Sequence, residues 1–112
     1  STSKKAFMLC INIKFRDIEQ KKNFEVIFSQ SAKFVSSKEF ETLSYEMSES
    51  DKDPLAVFIL ERYTSKKSYT DVHRKTDAFL TMKKHMTDCN FTAENGFILS
   101  GQSYIETNIG FI

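Results

Sequence analysis

Apolar positions along the chain switch between the two-residue period of a strand and the 3.6-residue period of a helix. Residues 6–14, AFMLCINIK, form a β-rich apolar run with Phe7, Leu9, Ile11 and Ile13 on one side and Ala6, Met8 and Cys10 on the other. From residue 17 to 36 the spacing becomes helical. Asp17 stands as N-cap, and Phe24, Ile27, Phe28, Ser31, Phe34 and Val35 paint one stripe. Residues 39–47 alternate, Leu43, Tyr45 and Met47 against Thr42, Ser44 and Glu46, which predicts a strand with one wet or cavity-facing side. SESDKDP (48–54) carries the only proline and reads as a turn into a third strand, LAVFILERY (55–63). So short a connection predicts an antiparallel hairpin. Residues 65–88 are helical in pattern, with Tyr69, Val72, His73, Thr76, Leu80 and Lys83 on one stripe and Thr64-Ser65 as N-cap. Thr76-Asp77 inside that stretch predicts a break. A loop (89–96) ends at Asn95-Gly96, FILSGQSYIE (97–106) is the fourth strand, and 107–112 is a tail.

The order βαββαβ predicts an α+β fold: a ferredoxin-like, antiparallel four-stranded sheet with both helices on one face, in a single domain (1–112, core 6–106). Strands one and three, apolar on both faces, are expected at the centre and parallel to each other, with strands two and four at the edges. Two helices cover one face only. The other apolar face needs a cover, and a second copy related by a two-fold axis is self-complementary, so a homodimer is expected.

Composition narrows the function classes. Length fits one domain, and 11 Phe with no Trp suit a core that also lines a flat cavity for a small apolar or aromatic ligand. Sixteen basic and fifteen acidic residues leave a net charge of +1, too little for a nucleic-acid partner. The pairs Lys4-Lys5, Lys21-Lys22, Lys66-Lys67 and Lys83-Lys84 each lie near acidic residues and read as mixed surface. Cys10 and Cys89 suggest reduced thiols and a cytoplasmic setting. The run from Ala6 to Ile13 is too short for a signal peptide, and no run reaches membrane-spanning length. The first residue, Ser1, suggests loss of an initiator Met, and the sequon Asn90-Phe91-Thr92 is expected to stay unmodified.

Few residues are candidates for chemistry. His73 sits on the inward stripe, either as a base or donor near neutral pH or as a structural imidazole held by a carboxylate or carbonyl. Glu61 ends six apolar residues of a central strand, so it is either paired or functional. Tyr63 could donate to a substrate oxyanion or simply pack. Asn12, the polar side chain inside strand one, could orient a ligand or satisfy backbone. Tyr69 and Phe79 are the expected ligand-contacting aromatics. His85 and Cys89 have helical spacing for a metal, but no further soft ligand lies near them, so no metal is expected. Phosphate-loop, GxSxG and Ser/His/Asp patterns are missing.

The stretch FILERYTSKKSYTDVHRKTDAF (58–79) resembles the antibiotic-biosynthesis-monooxygenase-like family. There a central strand ends in Glu-x-aromatic, a polar turn follows, and the next helix carries a His before a Ser/Thr-x-x-Phe step. The corresponding residues are Glu61, Tyr63, Ser65, His73, Thr76 and Phe79. The resemblance spans roughly residues 6–90 and implies a dimeric α+β barrel with an apolar cavity between sheet and helices, His73 near it. Family activities include cofactor-free oxygenation of quinol-like aromatics, haem degradation and isomerisation of a phosphorylated signal. SKKSY and TDAFLTMKKHM resemble the haem-degrading branch, which has Trp at the Tyr63-like position and an iron-ligating His at the Lys83-like one. Lys83 cannot ligate iron, and His85 is turned about 200° from it around a helix, so no haem or other cofactor is expected. The leading reading is a cofactor-independent oxygenase with His73 or Glu61 as base and Tyr63 or Asn12 as donor to the anion. The rival is a non-catalytic ligand-binding or dimeric interaction module of the same fold.

Overall fold

The computed structural model describes residues 5–111. Ser1, Lys4 and the last residue of the tail, Ile112, lie outside the described residues. The elements follow the expected order: β1 (Phe7–Lys14), α1 (Ile18–Lys38), β2 (Thr42–Glu49), β3 (Ala56–Tyr63), α2 (Asp77–Asp88) and β4 (Ile98–Ile105). The sheet runs β2-β3-β1-β4 with every neighbour antiparallel. β1 and β3 are central as predicted, but they are antiparallel to each other, not parallel. The crossover through α1 returns the chain parallel to β1 one slot away, and the β2–β3 hairpin fills that slot in the opposite sense.

Local chemistry explains each boundary. Asp17 Oδ1 accepts from the Gln20 amide at 2.8 Å, and Gln20 Oε1 accepts from the Arg16 amide at 2.9 Å, a reciprocal cap that starts α1. The helix then buries Phe24, Ile27, Phe28, Ser31 and Val35. Phe24 and Phe28 join Ile13, Phe15, Val57, Ile59 and Phe97 in the core, where the Phe15 ring lies 5.5 Å from that of Phe24. Lys21, also buried, bridges Glu49 and the Pro54 carbonyl and pins the hairpin to α1.

Two irregularities redirect side chains that a simple period misplaces. In β2 the register shifts between Thr42 and Ser44, a bulge that leaves Leu43 half exposed while Tyr45 and Met47 stay on the inner face. After β3, the Ser65 hydroxyl accepts from the Ser68 amide as expected, but the backbone then makes a π-turn (Ser68–Val72) and a 3-10 turn (His73–Lys75). Thr76 breaks the helix and caps α2, accepting from the Phe79 amide at 3.1 Å. The extra residue of the π-turn and the restart at Thr76 reset the helical phase. Val72 and Leu80, expected inward, are exposed, and Phe79, Met82 and Met86 turn to the sheet instead.

The outer face of the sheet, with Met8, Cys10, Phe58 and Leu60 along β1 and β3, has no helix over it. No helix is long and apolar enough to cross a membrane among the described residues.

Candidate active site

α1 packs its phenylalanines onto the inner face of the sheet, and α2 lies beside α1 without burying any residue fully. Between α2 and the sheet lies a cavity of about 130 Å³. Its walls are chiefly Leu9, Ile11, Ile59, Phe28, Met82 and Met86, and its polar groups come from Glu61, Tyr45 and Tyr69. A cavity of comparable size, about 150 Å³, holds one benzene ring when lined by apolar side chains.

Glu61 reaches the inner face because β3 alternates and the acid falls on the same phase as Val57, Ile59 and Tyr63. It is buried, and the Tyr63 hydroxyl donates to its Oε1 at 2.5 Å. His73, only 1% exposed, is delivered beneath α2 by the 3-10 turn. Its Nε2 stands 3.9 Å from Glu61 Oε1, and its Nδ1 stands 2.7 Å from Glu39 Oε1. The imidazole therefore lies between two carboxylates, enclosed by the rings of Tyr45, Tyr63, Tyr69 and Phe79 at 5.2–6.0 Å. With Nδ1–H donating to Glu39, Nε2 is left as the acceptor facing Glu61.

Burial raises the Glu61 carboxyl above its ordinary range, opposed by the Tyr63 hydrogen bond and the imidazole. The phenols of Tyr45, Tyr63 and Tyr69 are all pushed up, first by burial and then by the nearby Glu61 charge, with Arg74 partly opposing this at Tyr69. They remain neutral hydrogen-bond donors through the physiological range.

The structure thus brings Glu61, Tyr63, Tyr69, His73 and Phe79 together, with Glu61, Tyr69 and Phe79 on the cavity wall and His73 and Tyr63 behind it. Asn12 does not join them. It pairs with Phe58 and Ser100 on the opposite phase of β1, so its side chain is on the outer face. Tyr63 cannot be the free donor expected, since its hydroxyl is committed to Glu61. Sequence reasoning missed Glu39 and Tyr45. Glu39 is the C-cap of α1, where the helix dipole disfavours a carboxylate, and an acid placed there calls for a donor. Its Oε2 is buried with no partner among the described residues. Tyr45 stacks on Phe28 at 4.7 Å and shares a 3.0 Å hydrogen bond with Ser31.

His85 lies on the other side of α2, in the groove facing Ile27 and Phe34 of α1. Among the described residues no three His, Cys, Asp or Glu side chains are grouped to hold a metal. Lys83 places its ammonium 5.8 Å from the Phe79 ring centre.

Comparison with known proteins agrees with the fold. The sequence model of the antibiotic biosynthesis monooxygenase family matches residues 8–85. A conserved protein of unknown function from Bacteroides thetaiotaomicron superposes with a TM-score of 0.69 at 15% identity, over 93% of this chain and 100% of that one. Proteins provisionally assigned as antibiotic biosynthesis monooxygenases are similar too. The one from Caulobacter crescentus has a TM-score of 0.68 at 19% identity, over 92% and 93% of the two chains. The one from Nitrosomonas europaea has 0.71 at 14%, over 97% and 95%. At such identities these likenesses concern the fold. No curated protein sequence matches the chain.

Proposed function

Because the chain belongs to the antibiotic biosynthesis monooxygenase family, we propose that it is a cofactor-independent monooxygenase of a small quinol-type aromatic, with Glu61 as the base. The observation that carries this is a buried carboxylate of raised pKa on the wall of a ring-sized apolar cavity, backed by an imidazole and a second carboxylate. In the proposed reaction Glu61 removes a phenolic proton and passes it toward His73 Nε2. Glu39 holds the ring in the accepting tautomer and stabilises the imidazolium that forms. The electron-rich quinolate supplies electrons to O₂ and forms a ring hydroperoxide, which loses water. For hydroquinone the balance is one quinol and one O₂ giving one hydroxyquinone and one water. Tyr69, whose hydroxyl has no hydrogen-bond partner among the described residues, is the donor assigned to the oxyanion. The apolar walls keep bulk water from the anion.

The working unit in this proposal is a homodimer closed over the outer sheet face, where Met8, Cys10, Phe58 and Leu60 would meet their copies. Two cysteines without a disulfide support a cytoplasmic setting. Convergence of Glu61, Tyr45 and Tyr69 on one apolar cavity favours the enzyme over a passive binding module. Incubation with hydroquinone under ¹⁸O₂ tests it: one labelled oxygen should enter the product, and ring binding with no oxygen uptake would leave the binding module instead.

A further inference from the structure

The cavity is not closed on all sides. Every residue of β4 is exposed, including those on its inner phase: Leu99, Gly101, Ser103 and Ile105. Leu99 lines the cavity and is half exposed, so the cavity reaches the surface in a trough beside β4. Small residues keep the trough wide. A Cβ built on Gly101 would meet Ile11 only at ordinary van der Waals distance.

Two exposed cations stand over aromatic rings of the cavity wall. The Arg74 guanidinium lies 5.8 Å from the centre of the Tyr69 ring, and the Lys83 ammonium lies 5.8 Å from that of Phe79. Both rings belong to the cavity wall, and both pack on the same His73 imidazole. On α2, Lys83 follows Phe79 by one turn, on the flank away from Met82, which lines both the cavity and the groove beside α1. Neither Arg74 nor Lys83 has a carboxylate partner among the described residues. Two positive charges without carboxylate partners thus stand over the walls of a cavity that an acid also lines.

We infer that Arg74 and Lys83 form an anion clamp at the cavity mouth, and that the substrate is an aromatic carboxylate whose ring enters toward Glu61 while its carboxylate stays at the rim. The inference rests on the proposed use of the cavity and adds the substrate class. An anion pushed inside would be repelled by Glu61. Held at the rim between two cations, it orients the ring, and the same cations draw anionic ligands to the opening.

Anaerobic calorimetric titrations of hydroquinone and 2,5-dihydroxybenzoate, which share a ring and differ by the carboxylate, read this directly. In dilute buffer at neutral pH the carboxylate compound should bind on the order of tenfold more tightly, displaced competitively by hydroquinone. The advantage should vanish in the double variant Arg74→Gln/Lys83→Gln, shrink in roughly 0.5 M salt, and survive in Arg74→Lys/Lys83→Arg. Hydroquinone affinity should stay unchanged throughout. Both side chains are exposed, so the fold is not at stake. Equal binding of the two compounds would overturn the clamp and leave the cavity reading standing. An advantage kept by the double variant, or binding that hydroquinone does not displace, would overturn it as well. Binding of neither compound would remove the clamp and the cavity reading together.

Discussion

α1 and α2 lie on the same face of the same sheet, yet they are held in different ways. α1 buries Phe24, Ile27, Phe28, Ser31 and Val35 and is anchored at its start by a reciprocal cap and by the buried Lys21. α2 buries no residue fully. Its inward side chains, Phe79, Met82 and Met86, line the cavity that separates much of the helix from the sheet. The first helix makes the core. The second gives up packing to leave room for a ring, and the groups with chemistry lie beneath it or on the turns that lead into it. Stability and function are thus divided between two elements of one layer.

The sharpest way to break that contrast is to truncate each side in turn. Phe24→Ala removes a ring packed against Phe15, Phe28, Phe91 and Phe97 and should cost about 3–5 kcal/mol, read as a large loss of denaturation midpoint. His73→Ala comes next. It strips packing from four rings and leaves Glu39 buried without its imidazole donor, for about 2–4 kcal/mol, and oxygen uptake should fall with it. Met86→Ala, at the border of core and cavity, should cost less, about 1–2 kcal/mol, because Met86 packs on the core while only partly buried. If Met86→Ala matched Phe24→Ala, the picture of a suspended second helix would fail. Native-state hydrogen exchange offers the same comparison without mutation, with faster amide exchange expected across Asp77–Asp88 than across the middle of α1.

A smaller effect sharpens the role of Glu61. Burial raises its folded-state pKa above the ordinary 4.5, so the folded chain holds this proton more tightly than the unfolded one. The resulting stability is present in full below the ordinary value and is lost as pH rises through the folded-state value. Glu61→Gln keeps an acceptor for Tyr63 but cannot titrate. The melting temperature of the wild type relative to this variant should therefore fall as pH rises above the ordinary carboxylate value of 4.5, and a flat difference would mean that the carboxyl is not perturbed.

Much of this was legible in the residues. The alternation in β3 already put Glu61 in phase with Val57 and Ile59, and Thr76-Asp77 marked the break that the structure shows. The cap at Asp17 and the hairpin at 48–54 follow from local chemistry alone. What escaped depends on events that no periodicity encodes. The π-turn at Ser68–Val72 shifts the phase of everything after it, which put Val72 and Leu80 outside and Met82 and Met86 inside. The bulge did the same for Leu43. Asn12 was weighed by its polarity, while its even phase on β1 places it on the outer face. Glu39 bonds to His73 across 34 positions of sequence, and only the folded sheet and helix bring that pair together.

The central claim is that Glu61 is the base of an oxygen-consuming reaction in the cavity, and an oxygen electrode tests it most directly. Hydroquinone-dependent uptake by the wild type should rise with pH along an acid limb displaced above the ordinary carboxylate value of 4.5, because the base must lose its proton first. Glu61→Gln, still folded, should show no uptake above the uncatalysed rate at any pH on that limb. A folded Glu61→Gln protein that consumed oxygen at the wild-type rate would contradict the account.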